Sequence, residues 1–221
     1  LFRSPVLLAA FANSPVQHGR RTGWKSSRMA CWLSADPART FPPRPLSADP
    51  EADWAARVLS TPLLCVRRDD GPWDAPAGVT FADWIAGAMP TPPTTADLDY
   101  HVSTLFPPVR AHGHLEVRYV DGQAGDRWAL PTAVLVGLLS LPEVTERAYE
   151  LSHPVAGRWV EAARCGLEDP AIAAAAGPVF ELACSTLRAL DAPAPVLDAL
   201  EDMIARQVLR GRCPADDPLD P

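Results

Sequence analysis

The sequence predicts an α+β protein, strand-bearing over residues 1–130 and mostly helical over residues 131–221. Three observations carry this reading. His112 to Val120 alternates apolar and polar side chains with the period of two that a strand imposes. From Thr132 onward apolar residues recur instead at three-four spacing, clearest at Val196, Leu200, Met203, Ile204 and Val208, which would form one buried helix face. The 25 prolines gather between such stretches, at Pro42-Pro43, Pro90 to Pro93 and Pro107-Pro108, and so mark stiff connections.

In chain order, Val6 to Ala12 is an apolar run short enough for a helical turn or a strand. Asn13-Ser14-Pro15 ends it, because the residue before proline avoids the helical region. Gly19 to Gly23 reads as a polar loop. Ser26 or Ser27 then caps a short helix carrying Arg28, Met29 and Trp32, which Asp36-Pro37 stops. Asp49 caps the next helix, with Pro50 in its first turn and Glu51 near its positive end. Pro62 to Val66 reads as a short strand. Thr80 with Asp83 makes a capping-box start whose stop is Gly87, and Thr94 or Thr95 caps the segment that reaches His101. Asp121 to Asp126 is a glycine-containing loop without a dinucleotide or P-loop fingerprint. Helices are expected over Ala133 to Leu141, Val144 to Leu151 and Val155 to Gly166. Pro178 is expected to open Val179 to Leu190, and Pro195 to open Val196 to Arg210, with Gly211 as its cap.

The chemistry concentrates on the central strand. Alternation puts Leu115, Val117 and Tyr119 on a core face and His112, His114, Glu116 and Arg118 on the other. Glu116 and Arg118 would then stand roughly 6–7 Å apart at Cα, pointing the same way. Such a row can hold a cation, an anionic substrate or both; its plain alternative is a half-exposed ion pair. His-x-His-x-Glu imitates a zinc site, but His112 and His114 are left out of the metal set.

Net charge is −7 and lysine occurs once, at Lys25, so the phosphate-neutralising surface needed for duplex nucleic acid is missing. Five cysteines at long spacings, with no C-x-x-C, point to free thiols in a reducing cytosol. The runs Pro5 to Ala12 and Ala133 to Leu139 fall short of the ~20 residues that cross a bilayer, and a soluble cytoplasmic chain with no membrane partner is expected. The oligomeric state is not legible.

Several segments together carry a family likeness. They are Ala12-Asn13-Ser14-Pro15, Gly23-Trp24 with Arg28 and Trp32, Asp36-Pro37-Ala38-Arg39-Thr40, His101 through Arg110 (HVSTLFPPVR), and Leu115-Glu116-Val117-Arg118-Tyr119. In this order the chain resembles glutamate–cysteine ligases of the plant and bacterial type, nearest to the actinobacterial members that serve ergothioneine synthesis. The resemblance implies part of a glutamine-synthetase-like catalytic domain, an antiparallel sheet with helices, followed by the helical region. It implies ATP and Mg²⁺ acting on L-glutamate and L-cysteine through a γ-glutamyl phosphate. On the matching positions, Glu116 would ligate Mg²⁺ and Arg118 would grip a carboxylate or phosphoryl group. His101 would touch substrate or orient the Pro107-Pro108 turn, and Asn13, Arg28 and Arg39 would lie at the glutamate and nucleotide end. It also implies that about half of the ligase, with the remaining metal-binding acids, is absent from the amino-terminal side. Two other readings stay open: a carboxylate–amine ligase with another amine acceptor, and a non-catalytic module.

Overall fold

The computed structural model describes residues 5–42, 49–111 and 113–219. It is of the α+β class: eleven α-helices, some of a single turn, short 3-10 and π turns, and two two-stranded antiparallel sheets among the described residues. In chain order these are α1 (Val6–Ala10), β1 (Val16–Gln17), β2 (Arg20–Arg21), α2 (Ser27–Ala35), α3 (Pro37–Thr40), α4 (Pro50–Ser60), α5 (Phe81–Asp83) and α6 (Thr95–Ser103). Then follow β3 (Val109–Ala111), β4 (Leu115–Val117), α7 (Ala129–Leu139), α8 (Pro142–Ser152), α9 (Trp159–Cys165), α10 (Pro170–Ala189) and α11 (Ala194–Arg206). Packing divides the chain into one unit of residues 1–33 with 119–221 and another of residues 34–118, a different division from the expected 1–130 and 131–221.

In the first unit α10 is the central rod, packed by α1, α7, α8 and α11. Asp169 caps it, its carboxylate accepting from the amides of Ala171 and Ile172, and Pro170 takes the first turn where no N–H is needed. This corrects the expected start at Pro178, which lies inside the helix. The cap nine residues earlier governs, and burial of Ile172, Ala176, Val179 and Phe180 offsets the missing proline N–H. α7 approaches α10 so closely that a Cβ on Gly137 would sit 2.6 Å from the Ala183 carbonyl oxygen. α10 is also long and apolar enough to cross a membrane, but more than half of it is buried inside this unit. All five residues of α1 are buried, which settles the Val6 run as helix. The polar loop expected at Gly19 to Gly23 is instead half of a tight hairpin, β1 with β2, turned by His18 and Gly19 at positive φ. The lone lysine, Lys25, is buried and bonds Glu168 (2.7 Å) and Asp216.

In the second unit Leu63, Val66, Phe81 and Trp84 form a core under α4 and α5. The expected capping box of Thr80 with Asp83 is present, and the cap expected at Thr94 or Thr95 is Thr94, in a second box with Asp97. Asp49 caps α4 through the Ala52 amide. Pro62 to Val66 makes only isolated bridges, Pro62 to Thr80 and Cys65 to Asp74, rather than a strand.

The central strand is shorter than its alternation suggests. Gly113 adopts φ +71°, so the chain turns there, and β4 pairs back on β3 with Val109 opposite Val117 and Arg110 opposite Glu116. His112 lies outside the described residues. The expected core face is corrected as well: Tyr119 is 1% exposed, but Leu115 is 55% exposed and Val117 half-buried. A three-residue strand in a two-stranded ribbon has no second layer to bury that face.

Candidate active site

The hairpin brings together three charged groups and one ring. Register places Arg110 directly across from Glu116, and alternation places Arg118 on the same side. Arg110 Nε donates to one Glu116 oxygen at 2.8 Å, and an Arg118 guanidinium nitrogen donates to the other at 3.0 Å. Both guanidinium groups lie over the Phe106 ring, at 5.7 and 5.1 Å from its centroid. Partial burial works to raise the Glu116 carboxyl, but Arg118 and Arg110 outweigh it, and its pKa is lowered. The cluster is therefore a charged carboxylate between two cations, net positive, with Glu116 about one-third exposed.

His101 lies in the same unit, 4% exposed, stacked on Phe81 at 5.2 Å. Its Nε2–H donates to the Val58 carbonyl at 2.9 Å. Its own carbonyl accepts from the Thr104 amide and hydroxyl, which starts the turn into Leu105 and Pro107-Pro108. Arg39 is 5% exposed and donates to the Pro62 carbonyl at 2.5 Å, while its own carbonyl accepts from the Phe106 amide. Both residues thus brace the segment that carries Phe106.

Asn13 and Arg28 belong to the other unit, and they converge on Asp121. The Asp121 carboxylate accepts from the Asn13 amide, Ser14 Oγ, Ser26 Oγ and Arg28 Nε at 2.8–3.0 Å. A second Arg28 nitrogen donates to the Val120 carbonyl, and the Asn13 side chain donates to the Gly122 carbonyl. Ser26 also caps α2 through the Met29 amide.

Comparison with known proteins gives this geometry its context. The profile of glutamate-cysteine ligase family 2 matches residues 2–221. The chain belongs to that family. It is 39% identical over 217 residues to the glutamate–cysteine ligase EgtA of Mycolicibacterium smegmatis, covering 96% of this chain and 50% of the relative. It is 38% identical over 220 residues to EgtA of Mycobacterium tuberculosis, covering 96% and 49%. The chloroplastic glutamate–cysteine ligase of Medicago truncatula is 34% identical over 142 residues, covering 61% and 28%. The chain thus spans about half the length of its bacterial relatives in the family.

For this member of glutamate-cysteine ligase family 2, sequence reasoning missed two groups. Arg110 stands at the end of the HVSTLFPPVR motif, and a turn at Gly113 is the signal that sets its register with Glu116. Asp121 was visible as the acid after the strand, but no local signal shows that it is buried. Among the described residues no group of three or more His, Cys, Asp or Glu is placed to hold a metal. Magnesium commonly takes one or two protein carboxylates and completes its shell with phosphates and water. Glu116, a hard and partly exposed oxygen donor, fits as one such ligand if a guanidinium yields one of its oxygens.

Proposed function

We propose that this chain is part of an ATP-dependent ligase that joins the γ-carboxylate of L-glutamate to the amine of L-cysteine. We place it in the cytoplasm, in the synthesis of ergothioneine or a related thiol. The observation that carries the proposal is the Arg110–Glu116–Arg118 cluster over Phe106, together with membership in the family. Activation of a carboxylate requires its oxygen to attack the terminal phosphorus of ATP, with ADP leaving. The amine nitrogen then attacks the acyl carbon, phosphate departs and the nitrogen loses a proton. Both steps bring anionic oxygens together, and planar guanidinium groups answer this with paired, directional bonds. Arg118 takes the substrate carboxylate or transferring phosphoryl oxygens. Glu116 holds both guanidinium groups in place, so their orientation is set before substrate arrives. Glu116 would also give Mg²⁺ one oxygen, and the bound ion would neutralise phosphate charge. Arg28 serves the glutamate and nucleotide end, held by Asp121 beside Asn13. His101 and Arg39 act as positioning residues for the Phe106 turn.

The test is Arg118→Ala in the full-length enzyme. It should lower kcat/KM for glutamate by at least about tenfold and by up to about a thousandfold, from the loss of charge-assisted bonds. Arg118→Lys should restore little, since a point charge lacks the fork. A plain ion pair would change stability by only about 0–1 kcal/mol and leave the rate alone. Retention of more than half the wild-type kcat/KM would remove Arg118 from the site. Assay of γ-glutamyl transfer to a panel of amines tests the choice of cysteine.

A further inference from the structure

Phe106 takes no part in the chemistry set out above, yet both guanidinium groups of the hairpin cluster lie over its ring. Arg118 is 5.1 Å and Arg110 5.7 Å from the ring centroid, so one aromatic side chain serves two cations. The backbone that carries the ring is fixed on both sides. Before it, Leu105 is fully buried and its amide donates to the Val102 carbonyl. The Phe106 amide donates to the Arg39 carbonyl at 3.1 Å. After it, Pro107 and Pro108 are both buried, and each locks its own φ. The Pro108 carbonyl then accepts from the Arg118 amide at 2.8 Å, so the ring and the end of β4 are tied to one turn.

The ring and Glu116 hold the two arginines in different ways. Glu116 bonds their edges, through Arg110 Nε and an Arg118 guanidinium nitrogen. Those N–H donors are the groups that an anionic substrate needs, so substrate and Glu116 compete for them. An aromatic face instead attracts the cation through the ring quadrupole and consumes none of the guanidinium N–H donors. Its hold therefore persists when the edge bonds are exchanged. We propose that Phe106 is a positioning residue, a platform that keeps the Arg110 and Arg118 guanidinium groups in place while their N–H donors pass from Glu116 to the anionic oxygens of the substrate. This role rests on the ligase function proposed for the same site. Its rival is simple packing, since Phe106 is half-buried and an aliphatic side chain could fill the same space.

Replacement of Phe106 by phenylalanines bearing one, two and three ring fluorines, in the full-length enzyme, separates the two. Fluorine drains negative charge from the ring face and leaves its shape nearly unchanged. The kcat/KM for L-glutamate should fall stepwise along the series, by about tenfold at three fluorines. Phe106→Leu should lose about as much, and Phe106→Tyr, which keeps the aromatic face, should retain most of the activity. Thermal melts of each variant report whether the fold is kept. A flat fluorine series overturns the platform, even where Phe106→Leu is impaired, because that pattern is packing alone. An unimpaired Phe106→Leu overturns it as well. Arg118→Ala distinguishes this failure from that of the ligase reading. If Arg118→Ala loses activity while the fluorine series is flat, the ligase reading stands and the platform alone falls. If Arg118→Ala keeps its activity, or the full-length wild type makes no γ-glutamylcysteine, both fall together.

Discussion

Asp121 has a side chain only 2% exposed and accepts four hydrogen bonds, one of them from a guanidinium. Removing it strands those donors and leaves Arg28 without its counter-charge. Asp121→Ala should therefore cost about 3 kcal/mol, the low end for a broken buried pair because Arg28 keeps some solvent. Chemical denaturation of wild type and variant measures it, and a loss under about 1 kcal/mol would contradict the network. His101 makes a pH-dependent contribution of definite sign. Burial lowers its pKa below the usual 6.5, the bond to Val58 opposes that, and Arg39 lowers it further. The folded state thus favours the neutral ring, while the unfolded chain takes up a proton near pH 6.5. The stabilisation is present above that value and is lost as pH falls through the folded pKa. His101→Gln, which cannot titrate, should show a smaller fall in melting temperature between pH 7.5 and pH 5.5 than the wild type.

At the scale of elements, the β3–β4 hairpin hinges on Gly113 at φ +71°, a conformation that costs an L-residue about 1–2 kcal/mol. Nothing lies within 4 Å of a Cβ built there, so Gly113→Ala tests backbone strain alone. It should destabilise the protein by about 1 kcal/mol and lower the proposed ligase activity of the full-length enzyme, by loosening the Arg110–Glu116 register; unchanged melts and rates would show the turn to be dispensable. This glycine also explains what the sequence left hidden. Helix starts were legible because capping is local: Asp49, Thr80 and Thr94 each bond an amide three residues on. Glu116 and Arg118 were legible as same-side neighbours for the same reason. Strand length was not, since alternation through Gly113 looks continuous until the turn reverses it. Leu115 was assigned to the core by parity, but parity names a face without saying whether anything covers it. Pro178 misled because a proline in mid-helix resembles one at a start.

Across the whole molecule, the ties most distant in sequence are made by few residues. Lys25 is the clearest, reaching Glu168 and Asp216 across intervals of 143 and 191 residues. Burial tends to lower its pKa, but its bonds to Asp216 and Glu168 raise the net value, so it stays an ammonium. An ammonium held by two carboxylates has no lone pair to offer. Amine-directed chemistry therefore has no ready side-chain target in these 221 residues, because this is their sole lysine. Treatment of the native protein with an acetylating succinimidyl ester should leave Lys25 unmodified by peptide mass spectrometry, and the same treatment in denaturant should modify it fully. Cys31 is exposed, whereas burial raises the Cys213 thiol to about 12. A fluorophore or surface tether for this chain should therefore be attached through sulfur, at Cys31, rather than through nitrogen.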